Sequence, residues 1–319
     1  MTTCVTGGSG CIGSYVIRDL LARGERVVNF DFDTNQSVLR QVVPPDQLHN
    51  LVTVQGDITD AFHLGRALRD HGAERIIHLA SLQIPASNAN PPLALRVVAG
   101  GLVNVLEVAR LLGVRSVVWA SSIAVFGPPE EYASAPVLNG AHHRPQSVYG
   151  ACKSLGEFFL EYYHREYGLN AVGFRFTAVY GVGRERGRSS FGTEMIRKAV
   201  AGEPYTVPFG DDILDWQYVE DVSRMLLLAA DSRGLTTRVF NTRGDLRPVR
   251  EAVDFLRTLS PEARLSVEPG RFGIAWECDT TPLERELGFR PDYSMEQGIH
   301  KTFNLYRRAA GLSPVERGL

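Results

Sequence analysis

Short apolar runs rich in β-branched residues alternate with helical patterns along the first 180 residues of the chain. Runs of the first kind predict strands, and the longer patterns between them predict amphipathic helices. We predict strands at residues 2–6, 26–31, 51–55, 75–79, 116–120 and 171–176, and helices at residues 14–23, 93–112 and 147–167. Because a parallel return needs a crossover connection, this order predicts an α/β fold with a doubly wound parallel sheet.

The pattern is looser from residue 181 onward, where glycine and proline interrupt the periodicity. Helices are predicted at residues 193–201, 219–230, 249–258 and 295–308, and a strand at residues 238–241 is expected to return to the sheet. We therefore expect a larger domain over residues 1–180, completed by a returning segment near residues 215–245. Residues 181–319 are expected to form a smaller, mainly substrate-binding region.

The charge balance narrows the expected partners. The 319 residues include 34 Lys and Arg against 36 Asp and Glu, a net charge of −2. Proteins that bind nucleic acids or anionic membranes usually carry an excess of basic residues, so we expect neither partner here. A small molecule is the expected partner. The chain shows no secretory leader pattern and no uninterrupted apolar run of about 18 residues, which favours a cytoplasmic protein. The four cysteines have no CxxC spacing, so neither a disulfide framework nor a metal site is expected.

A glycine-rich turn follows the first predicted strand, in Thr6-Gly7-Gly8-Ser9-Gly10-Cys11-Ile12-Gly13. Gly7 permits a tight turn, Gly10 lets the backbone approach a pyrophosphate, and Gly13 lets the helix pack close to the sheet. The free N–H groups at the start of the helix would then hold the phosphates. In this strand–turn–helix context the motif predicts a Rossmann-type dinucleotide site, although a merely tight turn would have the same glycines.

An acidic residue ends the second predicted strand. Asp31 can accept hydrogen bonds from the adenosine ribose hydroxyls and would repel a 2′-phosphate. No arginine follows it directly, so the sequence favours NAD over NADP. Asp57, after the third strand, either reaches the adenine edge or caps the next helix.

Tyr149 and Lys153 are four residues apart in a predicted helix, and so lie on one face. A free phenol has a pKa of about 10 and is a poor base at neutral pH. A nearby ammonium lowers that pKa, and such a tyrosine can exchange a proton with a substrate hydroxyl. Ser122, just past the fifth strand, can hydrogen-bond the same oxygen. The four-residue spacing alone is equally typical of two surface side chains. The glycine turn, Asp31, Ser122 and the Tyr149–Lys153 pair, in this order, are together far more specific for this chemistry.

With these landmarks the chain resembles the extended short-chain dehydrogenase/reductases, in the NAD-dependent epimerase/dehydratase branch, over nearly its whole length. The resemblance implies Ser122, Tyr149 and Lys153 as the catalytic set, with Lys153 also holding the nicotinamide ribose. It implies a homodimer formed through the helices at residues 93–112 and 147–167. The residues that would contact NAD are Gly7, Gly10, Cys11, Ile12, Gly13, Asp31, Asp57, Ile58, Leu79, Ala80, Tyr149 and Lys153.

The chain departs from this family where a substrate diphosphate would bind. Leu214 and Glu268 stand where arginines are usual, and Ala178 replaces an asparagine. Each change removes a hydrogen-bond donor from the pocket. The candidates for the substrate side are Gln83, Ser122, Ala178, Arg184, Arg186, Arg188 and Arg271. The three clustered arginines fit a carboxylate or phosphate if they face the cleft, and otherwise belong to a solvated loop.

Two further positions bear on the reaction. Ile123 and Ala124 stand where sugar 4,6-dehydratases carry an Asp-Glu pair, so dehydration is not expected. We predict an NAD-dependent oxidoreductase that oxidises a secondary hydroxyl of a sugar, sugar acid or similar polyol. The alternative is a UDP-hexose 4-epimerase, in which the ketone takes the hydride back on its other face. A non-catalytic NAD-sensing protein is the minor alternative, since a sensor has no need of the Ser-Tyr-Lys set.

Overall fold

Twelve strands occur among residues 1–133 and 135–316, the part of the chain that the computed structural model describes. They are β1 (Thr2–Thr6), β2 (Arg26–Asp31), β3 (Leu51–Gln55), β4 (Arg75–His78), β5 (Ser116–Ser122), β6 (Ala171–Phe176), β7 (Ala178–Tyr180), β8 (Tyr205–Val207), β9 (Ile213–Tyr218), β10 (Val239–Asn241), β11 (Asp245–Pro248) and β12 (Leu265–Val267).

Seven of these strands form one central parallel sheet in the order β10-β6-β5-β4-β1-β2-β3. Successive strands spread from β1 to one side as far as β3, and β4 then starts the other side. The carboxyl ends of β1 and β4 therefore flank the switch point at which open α/β sheets bind their ligands. The predicted Rossmann-type α/β fold is confirmed, and the strand expected at residues 238–241 does return to the sheet beside β6.

The helices that cover this sheet, together with those of the second half of the chain, are α1 (Cys11–Ala22), α2 (Ser37–Val42), α3 (Ala61–His71), α4 (Ile84–Ala89), α5 (Pro91–Ala94), α6 (Gly101–Leu112), α7 (Val148–Tyr167), α8 (Phe191–Ala201), α9 (Val219–Asp231), α10 (Val249–Leu259), α11 (Thr281–Leu287) and α12 (Met295–Ala309). The helix predicted at residues 14–23 begins at Cys11 instead, because Gly10 is extended and the chain turns helical directly after it. Ser147 caps α7 by accepting a hydrogen bond from the Gly150 N–H.

A continuous helix runs from Pro91 to Leu112, because a π-helical stretch, Leu95–Gly100, joins α5 to α6. It has the length and composition of a membrane span, with a mean hydropathy of 1.5 over its most apolar window, but half of that window is buried inside the protein. A core helix of a folded domain meets the same criterion, and this one packs against α3 and α7.

Two smaller sheets lie in the second half of the chain. One has the order β11-β9-β7, in which β9 pairs antiparallel with β11 and parallel with β7. The other is the parallel pair β8 and β12. Most of these strands have only three or four residues, too few for an alternating pattern to show in the sequence. Since β7 directly follows β6, residue 178 lies just beyond the carboxyl end of that central strand.

A buried ion pair fastens α7 to the central sheet. Glu157, on α7, accepts hydrogen bonds from Arg175 on β6, the shortest 2.7 Å long, and one of 2.6 Å from the Ser121 hydroxyl on β5. Arg175 also donates to Asn241 on β10, at 2.9 Å, and the His143 ring lies 3.2 Å from both charged partners. Three strands and one helix are thereby joined one helical turn beyond Lys153. We call this set of five residues the clamp.

Burial alone would raise the pKa of Glu157, but hydrogen bonds from His143 and Arg175 outweigh it and lower the pKa from 4.5 to about 2. A lowered carboxyl pKa stabilises the folded state above the unfolded value. This contribution is complete above about pH 4.5 and is lost as the pH falls towards 2.

We expect Glu157→Gln to lower the free energy of unfolding by about 3–5 kcal/mol at pH 7, because it leaves the Arg175 charge buried without its partner. Urea denaturation of the variant and the parent measures this difference. The matched control is Glu161→Gln, one turn further along α7 on an exposed position, which should change stability by less than about 0.5 kcal/mol. Equal stability of Glu157→Gln and the parent would contradict the stabilising role of the clamp. A difference in unfolding free energy that persists unchanged to pH 2 would also contradict it.

Candidate active site

The glycine turn between β1 and α1 has the geometry of a phosphate-binding loop. Gly7 adopts a φ of +73°, and a Cβ there would lie 2.7 Å from the Ala80 backbone nitrogen. A Cβ on Gly13 would lie 2.5 Å from the Gly7 carbonyl oxygen, so only glycine permits this helix to start so close to the strand. At Gly10, by contrast, an added Cβ would meet nothing nearer than 3.4 Å. Its face is thus open to the crevice, as the approach of a pyrophosphate requires.

Asp31 lies beside this turn at the carboxyl end of β2. Its carboxylate accepts hydrogen bonds from the Ser9 backbone N–H at 2.9 Å and the Asp33 N–H at 3.1 Å. A carboxylate can accept about four hydrogen bonds, so capacity for ribose hydroxyls remains. The buried Asn29 amide donates to the Ser9 hydroxyl at 3.0 Å and fixes the turn from below. The cradle therefore fits the adenosine ribose and pyrophosphate of NAD.

The other expected cofactor residues line the same edge of the sheet. Ala80 and Leu79 follow β4, and the Leu79 N–H donates to the Thr6 carbonyl. Ile58 is buried, while Asp57 is exposed and accepts a hydrogen bond from the Thr59 N–H at 2.9 Å. The helix-cap alternative for Asp57 is wrong, because Asp60 caps α3. Cys11 and Ile12 open α1 directly behind the glycine turn.

The structure brings Ser122, Tyr149 and Lys153 together where β5 ends and α7 begins. The Lys153 ammonium donates to the Ala120 carbonyl at 2.6 Å and stands 5.3 Å from the centre of the Tyr149 ring. A Cβ on Gly150 would lie 2.1 Å from the Ala124 carbonyl oxygen, so this glycine lets the first turn of α7 press against the end of β5. The Tyr149 phenol therefore lies close enough to the Ser122 hydroxyl for the hydroxyl to favour its ionised form.

Burial sets the electrostatics of this group. It raises the pKa of the Tyr149 phenol above its usual value, while the Arg184 charge and the neighbouring Ser122 and Ser81 hydroxyls act in the opposite direction. Burial also lowers the pKa of Lys153 from 10.5 to about 7. We expected Lys153 to be the cation that lowers the phenol pKa. In this structure Arg184 has that effect, because Lys153, with a pKa of about 7, is uncharged at the higher pH at which the buried phenol ionises.

Two residues of this site escaped the sequence analysis. The buried Ser81 hydroxyl has no partner that meets full hydrogen-bond geometry among the described residues, yet it is close enough to favour the Tyr149 phenolate. His78 is fully buried, with Nδ1 2.6 Å from the Thr6 hydroxyl. Burial and the Lys153 charge lower its pKa to about 3, so its ring stays neutral. A polar residue at a strand end was the only sequence signal for either, and their proximity depends on the fold.

The expected substrate residues divide into two groups. Arg184 is half-buried and faces the Tyr149 side, with Gln83 close by. Ala178 is buried in β7 and offers no side-chain donor. Arg186 and Arg271 are both exposed, which favours side chains that lie in solvent over side chains that face the cleft.

Arg188 instead covers an aromatic cluster at the turn between β8 and β9. Its guanidinium lies 4.1 Å from the centre of the Phe272 ring and 5.1 Å from that of Phe209. Phe209 has a φ of +62°, a strained conformation for a bulky residue, and is held by rings at 5.1 and 5.6 Å. Leu214 is fully buried nearby, and the Glu268 carbonyl accepts from the Gly210 N–H. Aromatic rings thus dominate where the family resemblance implied arginines.

Comparisons with known proteins agree with this geometry. The model of the NAD dependent epimerase/dehydratase family matches residues 3–242. A UDP-glucose 4-epimerase of Mycolicibacterium smegmatis is 30% identical, with 96% of this chain and 99% of that protein covered. UDP-glucuronate 4-epimerase 1 of Arabidopsis thaliana is 28% identical, with 96% and 76% covered.

Among solved structures, the UDP-glucose 4-epimerase of Thermus thermophilus in complex with NAD superposes with a TM-score of 0.82 at 29% identity, covering 97% of this chain and all of that one. The glycine turn, Asp31 and the Ser-Tyr-Lys group all lie inside the segment that the family model matches. The cofactor is NAD, as the open cradle and the acidic strand end predicted. The chain belongs to the NAD-dependent epimerase/dehydratase family of extended short-chain dehydrogenase/reductases.

Proposed function

We propose that this protein oxidises a secondary hydroxyl of a sugar, sugar acid or similar polyol, with NAD as the hydride acceptor. The observation that carries the proposal is the convergence of Ser122, Tyr149 and Lys153 beside the NAD cradle. A binding protein needs the cradle alone, and the buried phenol with its two hydroxyl neighbours and adjacent ammonium would serve no purpose there.

In this mechanism Tyr149 acts as the general base. Its phenolate takes the proton of the substrate hydroxyl, and Ser122 orients the same oxygen by donating the hydroxyl proton left free when Oγ accepts from the Ala124 N–H. The Arg184 charge favours the phenolate. Lys153, whose ammonium stands 5.3 Å from the centre of the Tyr149 ring, is placed to hold the nicotinamide ribose. Bound NAD supplies the hydride acceptor, and the protein supplies position and electrostatics.

The residues on the substrate side favour net oxidation of a substrate without a nucleotide. Leu214 and Ala178 are buried and apolar, and the exposed Glu268 would repel a diphosphate. The missing charge-assisted hydrogen bonds are worth about 1.5–3 kcal/mol each. The second candidate is UDP-sugar 4-epimerisation, which the relatives carry out by name and which uses the same proton and hydride transfers in both directions.

We expect NADH to accumulate when the protein is incubated with NAD and a panel of sugars, sugar acids and polyols, followed by absorbance at the NADH band. Tyr149→Phe should lower kcat about 100-fold to 10,000-fold, because it removes the general base. Its Kd for NAD should stay within about twofold of the parent value, and Tyr205→Phe, a tyrosine on β8, serves as the matched control.

Two outcomes of this assay would contradict the proposal. Interconversion of UDP-sugar epimers without net NADH would establish the second candidate instead. Unchanged turnover by Tyr149→Phe would remove the phenol from the reaction altogether.

The two long helices also support a proposal about assembly. We infer a homodimer formed through the helix from Pro91 to Leu112 and α7, the pairing that the family resemblance implied. Leu155 and Phe158 are 39% and 57% exposed on α7, and the Phe158 ring stacks on Tyr162, so an apolar face is left at the surface. We further propose a cytoplasmic location, consistent with four free cysteines, and a mainly substrate-binding role for residues 181–319.

Phe158→Asp is expected to convert the dimer into a monomer, because it places a charge within the buried apolar seam. Light scattering coupled to size-exclusion chromatography measures the mass. The matched control is Phe62→Asp, since Phe62 is 92% exposed on α3 and belongs to neither of the two helices. A monomeric parent protein, or a Phe158→Asp dimer as stable as that of the parent, would overturn the assembly proposal.

A further inference from the structure

Arg184 is a half-buried cation without a counter-charge. No carboxylate lies within ion-pair distance of it in residues 1–133 and 135–316. Its Nε is buried and has no hydrogen-bond partner among the same residues. Its one protein partner there is the Ser189 hydroxyl, 3.1 Å from Nη2. A guanidinium can make five hydrogen bonds, so most of this group's donors remain to be satisfied.

The loop that carries Arg184 is held firmly over the crevice. The Cys11 thiol, at the start of α1, lies 3.4 Å from the Val182 carbonyl oxygen. The Arg184 N–H donates to the Gly181 carbonyl at 3.1 Å, which closes a turn directly before the side chain. A Cβ on Gly183 would lie 2.5 Å from Val38, so the loop also packs against α2. The guanidinium is therefore presented by a fixed backbone between the glycine turn and Tyr149.

Gln83 lies on the same side of this space. A Cβ on Gly187 would be 2.9 Å from the Gln83 Oε1 and 3.3 Å from the Arg184 Nη2, so both polar groups face the Gly187 backbone. Gln83 directly precedes α4 and makes no side-chain cap to it. Its amide is available to a ligand that lies between the loop and α4.

We propose that Arg184, assisted by Gln83, binds a carboxylate of the substrate next to the hydroxyl that Tyr149 deprotonates. This inference rests on the proposed function and names its substrate class: a sugar acid or other hydroxy acid. A planar carboxylate matches the fork of a guanidinium, which can donate two parallel hydrogen bonds to it. Because the substrate supplies the missing negative charge, this arginine gains an ionic partner in the complex.

The NAD pyrophosphate is a second anion that Arg184 could bind, because the loop that carries Arg184 also contacts the start of α1 through Cys11. The position of Gln83 favours the substrate. The test therefore measures acid binding and cofactor binding separately.

The experiment uses the full-length protein saturated with NADH, so that no turnover is needed. Isothermal titration compares two matched pairs of ligands, D-glucuronate with D-glucose and D-gluconate with D-glucitol, which differ in the carboxylate. For at least one pair we expect the acid to bind about tenfold to a hundredfold more tightly than its neutral partner. Arg184→Gln should abolish that preference and Arg184→Lys should retain part of it. The control is Arg186→Gln, an exposed arginine of the same loop, which should leave the preference unchanged.

A fluorescence titration with NADH decides between the two sources. We expect Arg184→Gln to change the Kd for NADH by less than twofold. A tenfold weaker NADH complex with the acid preference intact would assign the arginine to the pyrophosphate and overturn the inference. Equal binding of acids and neutral partners by the parent protein would also overturn it. Failure of the parent to form NADH from any substrate would count against the proposed function alone, because acid binding is measured without turnover.

Discussion

The position of the reactive groups depends on the buried ion pair between Glu157 and Arg175. It ties α7 to β5 at Ser121, the residue before Ser122, and to β6 at Arg175. Tyr149 and Lys153 lie two turns and one turn earlier on the same helix. The ion pair therefore fixes the distance from Tyr149 and Lys153 on α7 to Ser122 on β5. Because both partners are buried, removing one of them would leave an uncompensated charge in the core and destabilise the fold.

Burial within this frame determines the protonation behaviour of the site. It raises the pKa of Tyr149, lowers that of Lys153 to about 7 and keeps His78 neutral. These are the directions expected when charged forms are removed from water. Arg184 partly offsets the effect on the phenol from across the crevice. The chemistry of the site thus follows from exclusion of solvent as much as from the identity of its residues.

The cofactor side and the substrate side of the crevice differ in how closely they follow the family. The glycine turn and Asp31 keep the geometry that NAD needs, and their backbone contacts leave little freedom to change. On the expected substrate side, Leu214 and aromatic packing around Phe209 occur where the family resemblance implies diphosphate donors. The same reaction centre can thereby serve substrates of different size and charge, because proton and hydride transfer require only the Ser-Tyr-Lys group and the bound cofactor.

The sequence by itself determined the parallel sheet, the NAD cradle and the Tyr149–Lys153 helix face, because hydrophobic periodicity and glycine spacing are local signals. It missed the short strands β7, β8 and β12, the start of α1 and the roles of Ser81 and His78, which depend on contacts between distant segments. Of the three clustered arginines it could not say which one faces the cleft. Only the tertiary structure decided that Arg184 turns inward, Arg188 stacks on aromatic rings and Arg186 stays in solvent, since loop packing sets the direction of each side chain.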